Sequence, residues 1–136
     1  MCEPGGIKAK VICDGRGNGG TGARAACLLL PSGDWIDKAE KIPPTTNIVA
    51  EHLSIQLGIE LALEHGVTDL LIINDSQVPV YHLTGKYAVK QVHLKPLVEQ
   101  TRELTSKLVS VAVEWRRREE TTRADLLCRE VDPPPQ

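Results

Sequence analysis

The chain has 136 residues, 41% of them hydrophobic and 25% charged, with a formal net charge of −2. That length suits one domain able to bury a core without staples, and the composition is that of an ordinary globular protein rather than a disordered or fibrous one. No apolar run approaches the roughly 18 residues of a membrane span, no basic-then-apolar leader opens the chain, and the four cysteines form no CxxC pair, so a cytoplasmic protein with no membrane partner is expected.

Ile7 to Asp14 alternates and then turns apolar, a first strand ending in an acid. Gly15 to Gly22 is too rich in glycine for helix or strand and reads as a loop through which backbone can approach a ligand. It lacks the GKS/T ending of a phosphate-binding loop, and no helical pattern follows it. Ala23 to Leu30 and Trp35 to Lys41, joined by a turn at Pro31–Asp34, complete an antiparallel meander. Cys13 and Cys27 lie inside these apolar runs and read as buried thiols.

Thr45, Thr46 and Asn47 are cap candidates for a helix from about Ile48 to Glu64. On it His52, Gln56, Glu60 and Glu64 form a polar stripe, expected to face solvent. Glu51 projects toward the side shared with Ile55, Ile59 and Ala62, and an inward carboxylate needs a partner. Thr68 to Asp75 carries four consecutive apolar residues, Leu70 to Ile73, as a strand covered on both faces does. Asp75 stands at its carboxyl end, where open sheets with crossover helices build ligand sites.

Ser76 to Leu83 suggests a short helix, and Thr84 to Lys90 a connector in which Tyr87, between Lys86 and Lys90, is suited to stack on a base or sugar. His93 to Lys107 has helical spacing, Val109 to Trp115 alternates as a fifth strand, and Arg116 to Glu120 is a charged loop. Thr122-Arg123-Ala124-Asp125 reads as a capping box opening a last helix that runs to about Val131. The organisation expected is a flexible N-terminus over 1–6, one domain over 7–131 and a Pro-rich tail over 132–136. Residues 85–118 hold eight basic and three acidic side chains, a net of +5, whereas the remainder sums to −7. Such asymmetry suits a polyanion-binding surface beside a carboxylate-rich site.

Acids thus fall at the end of strand one (Asp14), inside the first helix (Glu51), at the end of strand four (Asp75) and at the start of the last helix (Asp125). Each also has an ordinary structural reading, as a helix cap for Asp75 and as first-turn acids for Glu51 and Asp125. Gathered on one sheet edge, four carboxylates tolerate one another only beside cations, and an all-oxygen ligand set favours Mg²⁺ or Mn²⁺.

The motifs Asp14-Gly15-Arg16-Gly17-Asn18, Thr45-Thr46-Asn47-Ile48-Val49-Ala50-Glu51, Asp75-Ser76-Gln77 and Arg123-Ala124-Asp125 occur in that order over about residues 7–131. In them the chain resembles the type 1 ribonucleases H of the retroviral-integrase-like superfamily. The resemblance implies an α/β, ribonuclease H-like fold: a five-stranded mixed sheet, its first three strands an antiparallel meander, flanked by helices. It implies an enzyme that hydrolyses the RNA strand of RNA/DNA hybrids, leaving 5′-phosphate and 3′-hydroxyl ends; a monomer is expected. Asp14, Glu51, Asp75 and Asp125 would hold two Mg²⁺ or Mn²⁺ ions, with Asp14 bridging both. Gly15 belongs to the same substrate-binding set as Asn18, Asn47 and Gln77, which match positions that contact sugars and bases in the minor groove, where the 2′-hydroxyl marks RNA. Thr46 matches a residue that holds a phosphate of the DNA strand.

The glycine stretch is about two residues shorter than the family's usual form, and the loop Arg116–Arg123 lacks the His of many bacterial members. That loop is similar instead to archaeal-like and plant-like members, with Glu119 or Glu120 as substitutes. No long basic protrusion is present, which leaves Lys86, Tyr87, Lys90 and Lys95 to hold the duplex. The rival readings are a nuclease of this fold acting on double-stranded RNA or DNA, and a noncatalytic hybrid-binding module.

Overall fold

The computed structural model describes residues 6–18 and 20–133. In chain order it contains β1 (Lys8–Gly17), β2 (Gly22–Leu29), β3 (Trp35–Ile42), α1 (Asn47–Glu64), β4 (Asp69–Asn74), α2 (Gln77–Thr84), α3 (Lys95–Thr105), β5 (Ser110–Trp115) and α4 (Thr122–Val131). The strands form one mixed sheet in the order β3-β2-β1-β4-β5. Pairing is antiparallel from β1 through β3 and parallel across β1, β4 and β5, the five-stranded α/β architecture expected from the sequence. The parallel half fixes the site: Cys13 of β1 lies opposite Asn74 of β4, so Asp14 and Asp75, one residue further on, emerge side by side at the same edge.

Alternation along the strands divides the core between the two faces of the sheet. Val11 and Cys13 pack with Leu28, Ile55, Ile59 and Ile72 beneath α1. Ile12 packs with Ala25, Cys27, Ile73, Ala124 and Cys128 on the side that α4 covers. A Cβ on Gly58 would lie 2.6 Å from Cys13 Sγ, so a glycine there lets α1 ride close on β1. Cys13, Cys27 and Cys128 are buried free thiols. No helix of the described residues is long and apolar enough to cross a membrane.

The glycine-rich stretch read as a loop is strand as far as Gly17, which pairs with Gly22. A Cβ on Gly15 would lie 2.2 Å from the Ala50 carbonyl oxygen, and one on Gly17 2.7 Å from the carbonyl oxygens of Thr45 and Thr46. The glycines therefore mark where the start of α1 crosses β1, and the backbone between them stays extended.

The polar stripe of α1 is only half solvated. Glu60 and Glu64 are exposed, but His52 is 0% exposed and stacks on His82 of α2, with Nε2 3.2 Å from His82 Nδ1. Burial, then the facing His82, push the His52 imidazole down to about 4. Gln56 Nε2 donates to the Leu97 carbonyl and to Thr101 Oγ1 of α3. Periodicity shows that a helix face is polar, and packing decides whether water or neighbouring helices satisfy it.

α3 begins at Lys95 rather than His93, after a 3-10 turn at Val92–Leu94, because Pro96 takes a first-turn position where its missing N–H leaves nothing unpaired. The capping box at Thr122–Asp125 does not form. Thr121 is the N-cap and makes no side-chain cap bond, while Thr122 Oγ1 donates back to the Arg118 and Glu119 carbonyls. Arg123 anchors this first turn instead, donating to both Asp37 oxygens of β3 at 3.0 and 2.8 Å with its guanidinium 4.4 Å from the Trp35 ring centroid. Of the expected loose ends, residues 1–5 and 134–136 lie outside the described residues. Asp132 is buried, and its carbonyl accepts from Arg16 Nη1 at 3.2 Å.

Candidate active site

Asp14, where the pairing of β1 with β4 stops, Glu51 in the second turn of α1 and Asp75 just past β4 each offer an oxygen within 4.8 Å of the others. Glu51 reaches in from the helix because Gly15 lets α1 close on the strand. Its Oε1 accepts from the Gly15 backbone N–H at 2.8 Å and from Asn74 Nδ2 at 3.0 Å, the partners that an inward carboxylate requires. The other oxygen, Oε2, receives no hydrogen bond from the described residues. Asp14 Oδ2 is buried with no hydrogen-bond partner among the described residues. Burial, with the charges of Asp75 and Asp125, pushes Asp14 up to about 7. Burial and the Asp14 charge push Glu51 up to about 8, against the opposing hydrogen bond from Asn74.

A site of this kind is short of positive charge, and a divalent cation would supply it. The carboxylate donor set and the orphaned Asp14 oxygen fit a hard, oxygen-preferring ion such as Mg²⁺ or Mn²⁺. Asp125 stands outside the tight trio. It lines the same cavity of about 420 Å³ from α4, and Arg129 pairs with it at 3.2 Å.

Gly15, Asn18 and Asn47 also line this cavity. Asn18 closes its own turn by accepting from the Gly20 N–H at 3.1 Å, and Asn47 Oδ1 accepts from the Gly17 N–H at 3.3 Å, tying the start of α1 to β1. Thr46 is the α1 N-cap, its hydroxyl accepting from the Val49 N–H. Gln77 is exposed at the first position of α2.

Lys86, Tyr87, Lys90 and Lys95 are not among the residues lining the acidic cavity. Lys86 Nζ sits 4.4 Å from the Tyr81 ring centroid, and Tyr87, 42% exposed, meets Tyr81 edge-on. Tyr87 and Lys95 line a second hollow of about 320 Å³ with Arg102.

Neither Glu119 nor Glu120 lines the acidic cavity; Arg118 does. Glu120 pairs with Arg116 at 3.2 Å. Arg118, its side chain 75% exposed, places Nε 3.4 Å from Asp75 Oδ2, and this bond raises the guanidinium further above its usual range. Trp115 Nε1 donates to the Asp75 carbonyl at 3.1 Å and fixes the backbone there. The sequence reading missed Arg118, Trp115 and Asn74. One signal was available for Asn74: a polar residue closing an otherwise apolar buried strand.

A family model described as reverse transcriptase-like matches residues 12–131, from within β1 to the end of α4. The N-terminal RNase H domain of Rv2228c from Mycobacterium tuberculosis superimposes with a TM-score of 0.86 at 26% identity, covering 92% of this chain and 93% of that one. RNase H1 from the archaeon Halobacterium salinarum does so with a TM-score of 0.84 at 25% identity, covering 92% and 96%. The chain belongs to the type 1 ribonuclease H family. A third structure similar to this ribonuclease H domain, LC11-RNase H1 solved in complex with an RNA/DNA hybrid, gives a TM-score of 0.84 at 25% identity over 91% of this chain and 96% of that one. Among curated proteins, the bifunctional protein Rv2228c of M. tuberculosis is 28% identical over 128 residues, which are 91% of this chain and 35% of that protein. The chain therefore spans about a third of the length of the curated relatives it matches.

Proposed function

We propose that this domain is a monomeric, metal-dependent endonuclease that hydrolyses the RNA strand of RNA/DNA hybrids with two Mg²⁺ or Mn²⁺ ions, leaving 5′-phosphate and 3′-hydroxyl ends. The observation that carries the reading is the trio of buried Asp14, buried Glu51 and half-buried Asp75, with the orphaned Asp14 oxygen, where the parallel pairing of β1 with β4 ends. The hybrid bound by LC11-RNase H1 supports the choice of duplex. The buried thiols Cys13, Cys27 and Cys128 support a reducing, cytoplasmic setting.

Asp14, Glu51 and Asp75 would hold the ions, with Asp125 contributing from α4 across the cavity. Divalent ions bound there supply activation of a water and stabilisation of the departing oxygen. The chain's own groups set the rest. Gly15 and Asn74 fix one Glu51 oxygen and leave the other open. Arg118 offers a guanidinium beside Asp75, where a phosphodiester meets the carboxylates. Asn18 and Asn47 on the cavity wall and Gln77 at the start of α2 would read sugars and bases, and Thr46 would hold a phosphate. The basic stretch with Lys86, Tyr87, Lys90 and Lys95 would carry the duplex beyond the cavity.

Parallel assays on RNA/DNA hybrid, double-stranded RNA and double-stranded DNA, with end-group analysis of the products, test the reading. Cleavage of the hybrid alone, with 5′-phosphate products, is expected. Equal or faster cleavage of another duplex would move the activity to that substrate, and tight hybrid binding without turnover in any divalent ion would make the domain a binding module.

A further inference from the structure

Asn74 ends β4 fully buried, at 0% exposure. Its carboxamide has two N–H donors and one acceptor oxygen, and all are engaged. Nδ2 donates to the Cys13 carbonyl and to Glu51 Oε1, both at 3.0 Å, and Oδ1 accepts from the Ser76 N–H at 2.8 Å. The three bonds end on three different segments. One reaches β1 a residue before Asp14, one reaches the Glu51 carboxylate itself, and one reaches the backbone a residue after Asp75. An aliphatic residue would fill the end of this apolar strand without desolvating a carboxamide, so a fully bonded polar group here needs a reason beyond packing.

The geometry points to Asn74 as the positioning residue of the metal site: it sets the distance between the Cys13–Asp14 backbone of β1 and the end of β4 and turns Glu51 so that Oε2 is left for a divalent cation. Groups that orient metal ligands from behind in this way govern affinity as well as geometry. The inference rests on the metal-site reading above, but it can be read out on the metal alone, without nucleic acid.

The test titrates the metal-free full chain with Mn²⁺ and follows free Mn²⁺ by electron paramagnetic resonance, for wild type, Asn74→Leu and Asn74→Thr. Melting in EDTA measures the structural cost separately. Asn74→Leu, with the same number of side-chain heavy atoms and a similar branching but bulkier and without donors, is expected to bind Mn²⁺ roughly 10- to 100-fold more weakly. Asn74→Thr, which keeps one hydroxyl, is expected to fall between Asn74→Leu and wild type. In cleavage assays the variants should need more Mn²⁺ while KM for hybrid at saturating metal stays unchanged. A folded Asn74→Leu with wild-type Mn²⁺ affinity, whatever its melting temperature, would overturn the inference and leave the metal site standing. If Asn74→Leu does not fold, Asn74→Thr decides, and wild-type affinity there is equally fatal. A wild type that binds no Mn²⁺ at millimolar concentration would remove the metal site and the inference together.

Discussion

Asp14 and Glu51 are held at about 7 and about 8, whereas in an unfolded chain both titrate near 4. Between those limits the metal-free folded protein binds more protons than the unfolded one, so its stability falls as pH rises toward 8. His52, held down at about 4, adds the opposite slope below roughly pH 6.5, because its contribution is lost as pH falls from there. Urea unfolding in EDTA at pH 6.5 and 8.5 follows these carboxylates together with the thiols of Cys13, Cys27 and Cys128, which burial keeps protonated in the fold while an unfolded chain begins to ionise its own by pH 8.5. A lower midpoint at pH 8.5 is expected, together with recovery on adding Mg²⁺ or Mn²⁺, which bind the ionised forms. Glu51→Gln should flatten the pH dependence, and identical wild-type midpoints in EDTA would count against the burial of Asp14 and Glu51. At this scale the four acids were legible in the sequence because Asp14, Asp75 and Asp125 were read at the end or start of an element and Glu51 on the apolar side of a helix. Arg118 was counted there only as charge within a run of three arginines, and its approach to Asp75 depends on a tertiary fold-back. Asn74 closes an apolar strand in the sequence, but its partners Cys13 and Glu51 are defined only once β1 and α1 are packed around it.

The meeting of α1 with β1 positions Glu51, and Gly15 is where the two backbones come closest. Gly15→Ala would force the helix outward, an overpacking cost of about 1–3 kcal/mol in urea unfolding. Because the displaced residue is a proposed ligand, Mn²⁺ affinity and hybrid cleavage should fall by more than the stability loss explains. Wild-type cleavage by Gly15→Ala would show that the crossing is not needed. α4 has no side-chain N-cap and is held by Arg123 on Asp37 and Trp35. Arg123→Ala should therefore raise hydrogen exchange in the first turn of α4, next to Asp125, more than elsewhere. The elements themselves were legible from periodicity and turn residues. What periodicity could not carry was company: His52 and Gln56 read as solvated until α2 and α3 are laid over them, and Gly15 to Gly17 read as loop because the helix that excludes their side chains lies about thirty residues further along the chain.

Across the whole molecule, the carboxylates gather where the pairing of β1 with β4 ends, while much of the positive charge lies in the stretch that follows α2. If that stretch carries the duplex, Lys86→Glu and Lys90→Glu should raise KM for hybrid with little change in kcat. Each should also make binding less sensitive to salt, by about one unit of slope for every phosphate it leaves unneutralised. An unchanged KM for the pair would move the duplex path elsewhere. The antiparallel meander was legible in the sequence and the mixed five-stranded sheet in the family resemblance, whereas the order β3-β2-β1-β4-β5 is seen only in the structure.

The most direct measurement is cleavage of an RNA/DNA hybrid labelled on either strand, with Mg²⁺ or Mn²⁺, by wild type beside Asp75→Asn. Cuts confined to the RNA strand are expected, with a loss of roughly a thousandfold in Asp75→Asn, as for several kcal/mol of lost transition-state stabilisation. Failure to cut either strand with either ion, or undiminished cleavage by Asp75→Asn, would contradict the assignment.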